Sequence, residues 1–157
     1  MDSEAPWKER ARKVIPGGMY GHQNTWRLPD AFPQFIVKGD AGHIWDSGGK
    51  RYIDFMSSYG PIILGHVHPK VEEAVARQLK KGDCFNGPST VIVELAEKMT
   101  GMVDHADWGI FAKNGTDATT ICVTVARSYS GKQKLLVAEN AYHGSAPWFT
   151  PLLQGTT

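Results

Sequence analysis

The chain of 157 residues is long enough for one domain, or part of one, that buries a hydrophobic core. Its 17 Lys and Arg residues are balanced by 16 Asp and Glu residues, which excludes the strong basic field typical of proteins that bind nucleic acid or anionic membranes. Cys84 and Cys122 lie far apart in sequence and indicate neither a disulfide framework nor a zinc site. Because no targeting signal or long apolar run is present, we expect a cytoplasmic protein whose partners are small molecules, not nucleic acid or a membrane.

The first third of the chain predicts a short helix followed by a small antiparallel sheet. Residues 5–14 are predicted to be helical, and the Pro-Gly-Gly sequence at 16–18 ends that helix. Three short β-like runs follow at 35–38, 42–45 and 51–55. The turns between them contain Gly and Asp, which supply the positive φ angles that hairpins need. We therefore expect an antiparallel meander.

Two amphipathic helices are predicted next. The first begins at Pro69 and ends at Gly82, and the second begins at the N-cap Ser89 and ends before Asp104. Apolar residues recur at helical spacing in both, so we expect each helix to bury one face. These faces consist of Val71, Ala74, Val75 and Leu79 in the first helix, and Ile92, Leu95, Ala96, Met99 and Val103 in the second.

The segment from 108 to 144 predicts a strand, a helix and a second strand. The apolar runs 108–112 and 135–138 flank a helix that Gly131 ends. Such a βαβ unit has parallel strands and a right-handed crossover, which places the chain in the α/β class. The predicted buried face of its helix consists of Ala118, Ile121, Cys122, Val125 and Tyr129.

The turn after the first of these strands is a candidate anion site. Asn114, Gly115, Thr116 and Asp117 lead from a predicted strand end into a helix, where free backbone N–H groups and the helix dipole favour a phosphate. Gly115 allows close approach to the backbone, and the Thr116 hydroxyl adds a donor that can also cap the helix. The alternative is a simple helix cap with Asp117 complementing the dipole. A nucleotide is not expected, because neither a P-loop lysine nor a G-x-G-x-x-G sequence is present.

The loop at 139–144, after the second predicted strand, is the other candidate. Ligands of open α/β sheets bind at the carboxyl ends of strands, where the ring of Tyr142 can stack on a flat molecule and His143 can hydrogen-bond one of its substituents. The alternative is a partly buried Tyr-His pair in an ordinary loop. If the two candidates form one joint site, with the anion at 114–117 and a flat ring on Tyr142, this loop must lie beside the turn at 114–117.

His66 and His68 have the spacing of metal ligands, with His105 and Asp107 as further candidates. A zinc site needs a third and fourth ligand with supporting partners. Since Pro69 follows directly, we interpret His68 as the residue at the mouth of a helix and expect no metal.

Four sequence elements occur here in an order and spacing that resemble the class III aminotransferases. They are the GKxYID, LGHxHP, NGT(D/E)A and YHG elements, at 49–54, 64–69, 114–118 and 142–144. The resemblance extends over residues 9–148, and within the family the sequence looks most similar to glutamate-1-semialdehyde aminomutase. It implies an α/β fold, the PLP-dependent transferase fold type I, with the N-terminal meander at 1–60 and the first part of the cofactor-binding large domain at 61–157.

The resemblance also implies a cofactor and a set of contacts. Pyridoxal 5'-phosphate (PLP) would carry an amino group between a small amino donor and a keto acceptor, in a homodimeric full-length enzyme. The implied cofactor-binding residues are Asn114, Gly115 and Thr116 at the phosphate, with Tyr142 stacked on the ring and His143 beside it; the implied substrate-binding residues are Ser57 and Tyr59.

Two departures from the family pattern shape the expected function. The aminomutases have an arginine shortly after the Pro-Gly-Gly element for a substrate carboxylate, whereas here 19–24 contains none and Arg27 follows later. Family members place the Schiff-base lysine beyond the position of Thr157, so we assign no catalytic residue. We therefore expect an N-terminal fragment that is inactive on its own. We also expect the apolar side chains of Ile92, Leu95 and Met99 to lack packing partners in such a fragment. We expect an aminotransferase, or an aminomutase-like enzyme that acts on a different substrate. The alternatives are a non-catalytic module that retains phosphate binding or subunit docking, and a metal-dependent hydrolase built on the two histidines.

Overall fold

The computed structural model describes residues 3–19, 21–25, 27–29, 32–139 and 141–149. The chain divides into two compact units, Met1–Phe85 and Asn86–Thr157. The predicted boundary of the large domain at residue 61 stays a prediction. Asn140 in the second candidate loop and the end of the chain at 150–157 lie outside the described residues.

The first unit begins with the predicted helix and meander. Helix α1 (Ala5–Val14) has the predicted bounds, and the three strands form one antiparallel sheet in the order β1-β2-β3. Glu4, only 5% exposed, joins the two parts, because its carboxylate accepts hydrogen bonds from the backbone N–H groups of Gln34 and Phe35. The strand bounds are Ile36–Asp40 for β1, His43–Asp46 for β2 and Arg51–Ile53 for β3.

The carboxylate of Asp46 organises the turn between β2 and β3. Its Oδ1 atom accepts hydrogen bonds from the N–H groups of Gly48 and Lys50, both at 2.9 Å. Its Oδ2 atom accepts a 2.7 Å hydrogen bond from the hydroxyl of Tyr52. The hydrogen bond from Tyr52 is the main reason why the pKa of Asp46 lies below its ordinary value, and the same bond raises the pKa of Tyr52 to about 12.

These shifts predict how the contribution of Tyr52 to stability varies with pH. Stability from the ionised Asp46 is lost as pH falls below its ordinary pKa of 3.8, and stability from the neutral Tyr52 is lost as pH rises from 10 to about 12. We expect Tyr52→Phe to lower the melting temperature between these limits and to have less effect outside them. Melting curves of both proteins across this pH range check this, and a difference that is constant over the range would contradict it.

Helix α2 (Pro69–Leu79) ends the regular structure of the first unit. His68 is its N-cap residue and Pro69 its first residue, as predicted for the mouth of a helix. The prediction that α2 buries its apolar face is wrong. The side chains of this face remain roughly half exposed, and no other described helix or strand packs closely on them. The exposed fractions are 45% for Val71, 47% for Val75 and 56% for Leu79.

The second unit contains helices α3 (Thr90–Thr100) and α4 (Gly115–Ser130). The Ser89 hydroxyl accepts a hydrogen bond from the N–H of Val91, which confirms it as the N-cap of α3. Gly131 ends α4 with φ of +69°, a left-handed conformation typical of glycine after a helix. The apolar faces are largely exposed here too. The exposed fractions of Ile92, Leu95 and Met99, which are 43%, 45% and 46%, agree with the expectation that they lack partners in a fragment. The α4 face was predicted to be buried, but Val125 is 47% exposed and Tyr129 is 94% exposed.

The two predicted parallel strands are not formed. Residues 108–112 and 135–138 are in no strand, although they flank α4 as the βαβ pattern requires. A parallel strand takes its hydrogen bonds from a neighbour, and the two runs pair neither with each other nor with any other described segment. Their apolar side chains are exposed accordingly, with Trp108 at 66% and Leu136 at 97%. Among the described residues, no helix has the length and apolar character needed to cross a membrane.

Candidate functional site

The start of α4 is built by Asn114, the N-cap residue. Its side-chain oxygen accepts from the N–H of Asp117 at 2.9 Å, and its amide donates to the Asp117 carboxylate at 2.8 Å. The first hydrogen bond inside the helix joins the N–H of Ala118 to the Asn114 carbonyl. The N–H groups of Gly115 and Thr116 therefore have no acceptor within the helix and lie at its positive end. The helix has both the predicted cap and the predicted donors, but the cap is Asn114 and not the Thr116 hydroxyl.

The loop at 141–145 lies directly against this helix start. The Thr116 hydroxyl oxygen accepts from the N–H of Ser145 at 3.1 Å, and the Thr119 hydroxyl lies 3.3 Å from the carbonyl of His143. Gly144, with φ of +110°, makes this approach possible. A Cβ atom at that position would lie 3.0 Å from the Thr116 hydroxyl and 3.2 Å from its Cα. The two candidate loops thus lie side by side, as a joint site requires.

The two loops line an open cavity of about 740 Å³, within the size range of small-molecule sites. Backbone N–H groups and hydroxyls border it on the side of α4, and the ring of Tyr142, 82% exposed, borders it on the loop side. Donors at a helix start suit an anion, and an accessible ring suits a flat partner. The lining residues are Asn114, Gly115, Thr116, Asp117, Thr119, Tyr142, His143, Gly144 and Ser145, so all five residues predicted to bind the cofactor border one cavity.

The imidazole of His143 is already engaged within the loop. Its Nε2 atom accepts a 3.2 Å hydrogen bond from the N–H of Ala138, and its ring lies 6.3 Å from that of Phe149. Since Nε2 accepts, the proton of a neutral ring is on Nδ1, and only that N–H is left for a ligand. His143 therefore fixes the loop to the end of the run at 135–138.

Two hydroxyl residues of the cavity, Thr119 and Ser145, were missed from the sequence. Thr119 lies three residues after Thr116 on the same face of α4, a spacing that indicates a shared surface. Ser145 follows the YHG element directly. Its contact with Thr116 joins positions 29 residues apart, which no local pattern reveals.

The predicted substrate residues Ser57 and Tyr59 belong to the first unit. Both have positive φ angles, 47° and 65°, in a turn after β3. Ser57 borders a second cavity of about 310 Å³ in that unit. Their contact with substrate stays a prediction.

The two histidines with metal-like spacing lie in this unit as well. His66 Nε2 lies 2.8 Å from a carboxylate oxygen of Asp54. In the part of the chain that the structure describes, no group of three or more His, Cys, Asp or Glu side chains is placed to hold a metal ion.

Comparison with known proteins identifies the family. The chain is 48% identical to the aminopentol aminotransferase of Sphingopyxis macrogoltabida, over 94% of this chain and 35% of that protein. It is 47% identical to the FumI protein of a Sphingopyxis species, solved in its PLP internal aldimine form, with a TM-score of 0.90 over 95% of this chain and 36% of that one. The predicted fold class, α/β with PLP-dependent transferase fold type I, is thereby confirmed. The chain spans about a third of the length of these relatives.

The predicted nearest branch needs correction. A glutamate-1-semialdehyde aminomutase from Pseudomonas aeruginosa is only 24% identical, with a TM-score of 0.77 over 90% of this chain and 31% of that one, a similarity that supports the fold alone. The aminopentol enzyme, at twice that identity, is the nearer of the two. The class III aminotransferase family model matches residues 27–148. Because this match covers most of the chain, the protein belongs to the class III aminotransferases, whose cofactor is pyridoxal 5'-phosphate.

Proposed function

We propose that the complete protein is an aminotransferase that moves an amino group from a small amine to a keto acceptor. The supporting observation is the cavity between the start of α4 and the loop at 141–145, where N–H donors suited to an anion lie beside an accessible aromatic ring. The match to the family and to the aminopentol aminotransferase supports the same activity. No observation favours the alternative of a non-catalytic module.

The residues of this cavity fit the cofactor. The N–H groups of Gly115 and Thr116 would hold the phosphate at the positive end of α4. The hydroxyls of Thr116 and Ser145 lie 3.3 Å apart, so one donates to the other and the second O–H would be directed at the phosphate. Tyr142 would cover the ring. Bound PLP supplies the electron sink of the reaction, and the protein supplies orientation and electrostatics.

The chain's own residues keep this arrangement rigid. Asn114 and Asp117 tie the first turn of α4 together, so the two donating N–H groups are fixed before any ligand arrives. The hydrogen bond from Ala138 to His143 holds the loop that carries Tyr142.

We infer that the reactive lysine comes from outside these 157 residues, in a homodimeric enzyme.

The proposed amine is one without an α-carboxylate. No arginine follows the Pro-Gly-Gly element within residues 19–24 to pair with a carboxylate. The relative at 48% identity is named for an aminopentol, an amine that carries hydroxyl groups. Both observations favour a hydroxylated amine over an amino acid, and an aminotransferase over an aminomutase.

A single substitution tests the role of the aromatic ring. We expect Tyr142→Ala to lose about 1 kcal/mol of cofactor binding, a roughly fivefold rise in the dissociation constant of PLP. Tyr129→Ala is the matched control, since this tyrosine is 94% exposed on α4 and does not line the cavity. Equilibrium dialysis of the cofactor-free proteins measures both constants. Equal constants for the two variants would contradict the stacking role.

The activity itself is tested with the complete, cofactor-loaded enzyme. We expect amino transfer to pyruvate from an amine that carries several hydroxyl groups, with a kcat/KM higher than for glutamate as donor. The aldehyde or ketone product and the alanine formed are measured by mass spectrometry. A preference for glutamate would overturn the proposed substrate class, and absence of any amino transfer would overturn the function.

A further inference from the structure

The carboxylate of Asp54, directly after β3, binds three partners. Its Oδ1 atom accepts from the N–H groups of Met56 at 2.9 Å and Ser57 at 3.0 Å, and its Oδ2 atom lies 2.8 Å from His66 Nε2. The Asp54 side chain is 9% exposed. The hydrogen bond with His66 is the main reason why the pKa of Asp54 lies below its ordinary value, so the group is a carboxylate at neutral pH. This carboxylate therefore connects a turn on one side to a histidine on the other.

The turn that Asp54 holds is strained. Ser57, Ser58 and Tyr59 have φ angles of 47°, 52° and 65°, followed by Gly60 at 111°. Positive φ is unfavourable for residues with a Cβ atom, and three such residues in succession are costly. We call residues 57–60 the left-handed turn. Because its conformation is unfavourable on its own, the surrounding contacts must maintain it.

His66 is fixed from the other side. Its backbone exchanges two hydrogen bonds with Ala41, at 2.8 and 3.0 Å, and its ring packs against Gly39, where a Cβ atom would lie 2.6 Å from the ring. The backbone N–H of Asp54 donates to the carbonyl of Gly42, in the same β1–β2 turn. Both members of the Asp54–His66 pair are thus anchored to the sheet, and the left-handed turn is attached to a rigid support.

A comparison with Asp46 indicates what the strain is for. Asp46 also accepts two backbone N–H groups on one oxygen and a side chain on the other, but its turn contains Gly48 and Gly49, and the positive φ of +84° falls on Gly49. A turn that serves only the fold can use glycine at such positions, and the β1–β2 turn has a single non-glycine residue with positive φ, Ala41 at 46°. The left-handed turn retains side chains at three of them, and it borders the 310 Å³ cavity through Ser57. Strain of this kind is concentrated at sites that bind ligands.

We propose that Asp54 and His66 are positioning residues that hold the left-handed turn in the conformation in which its side chains meet the amine substrate. The inference rests on the proposed function and adds to it the residues that fix the substrate-binding wall. Asp54 and His66 border the same cavity as Ser57, but the proposed role acts through the turn and requires no contact between these two residues and the substrate. Their effect is to keep the competent conformation of the turn populated.

The test compares variants of the complete, cofactor-loaded enzyme. Asp54→Ala removes all three contacts, and the double variant Asp54→Ala/Ser58→Gly also relieves the strain, because glycine adopts positive φ without cost. His66→Gln keeps an N–H donor near the position of Nε2, whereas His66→Ala does not. Asp46→Ala is the matched control, since it removes the same number of carboxylate contacts from the same sheet.

If only a fraction of the molecules have the turn in its competent conformation, KM rises by the inverse of that fraction. The value of kcat at saturating substrate stays unchanged, because substrate binding then selects the competent conformation. If Asp54→Ala leaves about a tenth of the turn competent, KM for the amine rises roughly tenfold with kcat within about twofold. We expect His66→Ala to behave similarly, His66→Gln to remain near the wild type, and Ser58→Gly to restore much of the lost KM in the double variant. Asp46→Ala should lower the melting temperature without raising KM. An equal KM rise in Asp46→Ala, or no recovery in the double variant, would overturn the proposal.

Hydrogen exchange provides a readout that does not depend on activity. Peptides covering 55–60 should exchange faster in Asp54→Ala than in the wild type or in Asp46→Ala, because the protected N–H groups of Met56 and Ser57 lose their acceptor. Equal exchange in Asp54→Ala and the wild type would overturn the proposed hold on the turn, whatever the activity. Absence of amino transfer from the wild type would overturn the proposed function, and the exchange pattern distinguishes the two failures.

Discussion

Replacing Gly144 with Ala should weaken PLP binding by about 2 kcal/mol, a roughly thirtyfold rise in the dissociation constant. The new methyl group would lie 3.0 Å from the Thr116 hydroxyl, on a residue with φ of +110°. The close contact pushes the loop away from α4, and the positive φ makes the present backbone conformation unfavourable. The loop then moves Tyr142 and Ser145 away from the N–H groups at 115 and 116, so the phosphate and ring contacts can no longer be made together.

Gly131→Ala is the control for backbone strain in the same unit. Its φ is +69°, and a Cβ atom there would meet nothing within 4 Å. We expect it to lose about 1 kcal/mol of stability with little change in PLP affinity. Dialysis against PLP and urea denaturation separate the two quantities. A Gly144→Ala protein that binds PLP as tightly as Gly131→Ala would contradict the proposed joint site.

The second large effect concerns the first unit. Gly65→Ala should reduce the free energy of unfolding by roughly 3 kcal/mol, because its Cβ atom would lie 3.0 Å from the carbonyl oxygen of Ala41 and 3.1 Å from its carbonyl carbon and Cα. These are backbone atoms, which cannot rotate away as a side chain can. The hydrogen bonds between Ala41 and His66 would have to lengthen, and the unit would lose the anchor of the segment after the left-handed turn.

Gly49 offers an unusually close control for this effect. Its φ is +84°, against +85° at Gly65, but a Cβ atom there meets nothing within 4 Å. Gly49→Ala should therefore show the backbone strain alone, about 1 kcal/mol. Urea denaturation of both variants isolates the contribution of the close approach. Equal losses would show that contact with Ala41 contributes nothing.

Local signals in the sequence were sufficient to predict the helices and the meander. The bounds of α1, the N-cap at Ser89 and the C-terminal glycine at Gly131 depend on residues within a few positions of one another. The strands at 108–112 and 135–138 depend on neighbours for their hydrogen bonds, and a run of apolar residues does not say whether a neighbour is present. The periodicity identified the apolar faces of α2 and α3. The exposure of Ile92, Leu95 and Met99 agrees with the expectation that they lack partners in a fragment, whereas the exposure of the α2 face was not predicted.

The candidate site was partly predictable. The two loops were identified because each has its own sequence pattern, a helix start with Gly115 and an aromatic pair after an apolar run. The contact of Thr116 with Ser145 and the pairing of Asp54 with His66 join distant positions, so they appear only in the folded chain. The four sequence elements recur across the family, which explains why they indicated the family correctly and the nearest branch wrongly.

The most direct test of the joint site is a crystal structure of the protein with PLP bound. We predict phosphate oxygens within hydrogen-bond distance of the N–H groups of Gly115 and Thr116, and the pyridine ring against Tyr142. A phosphate bound away from the start of α4, or a ring that does not touch Tyr142, would contradict it.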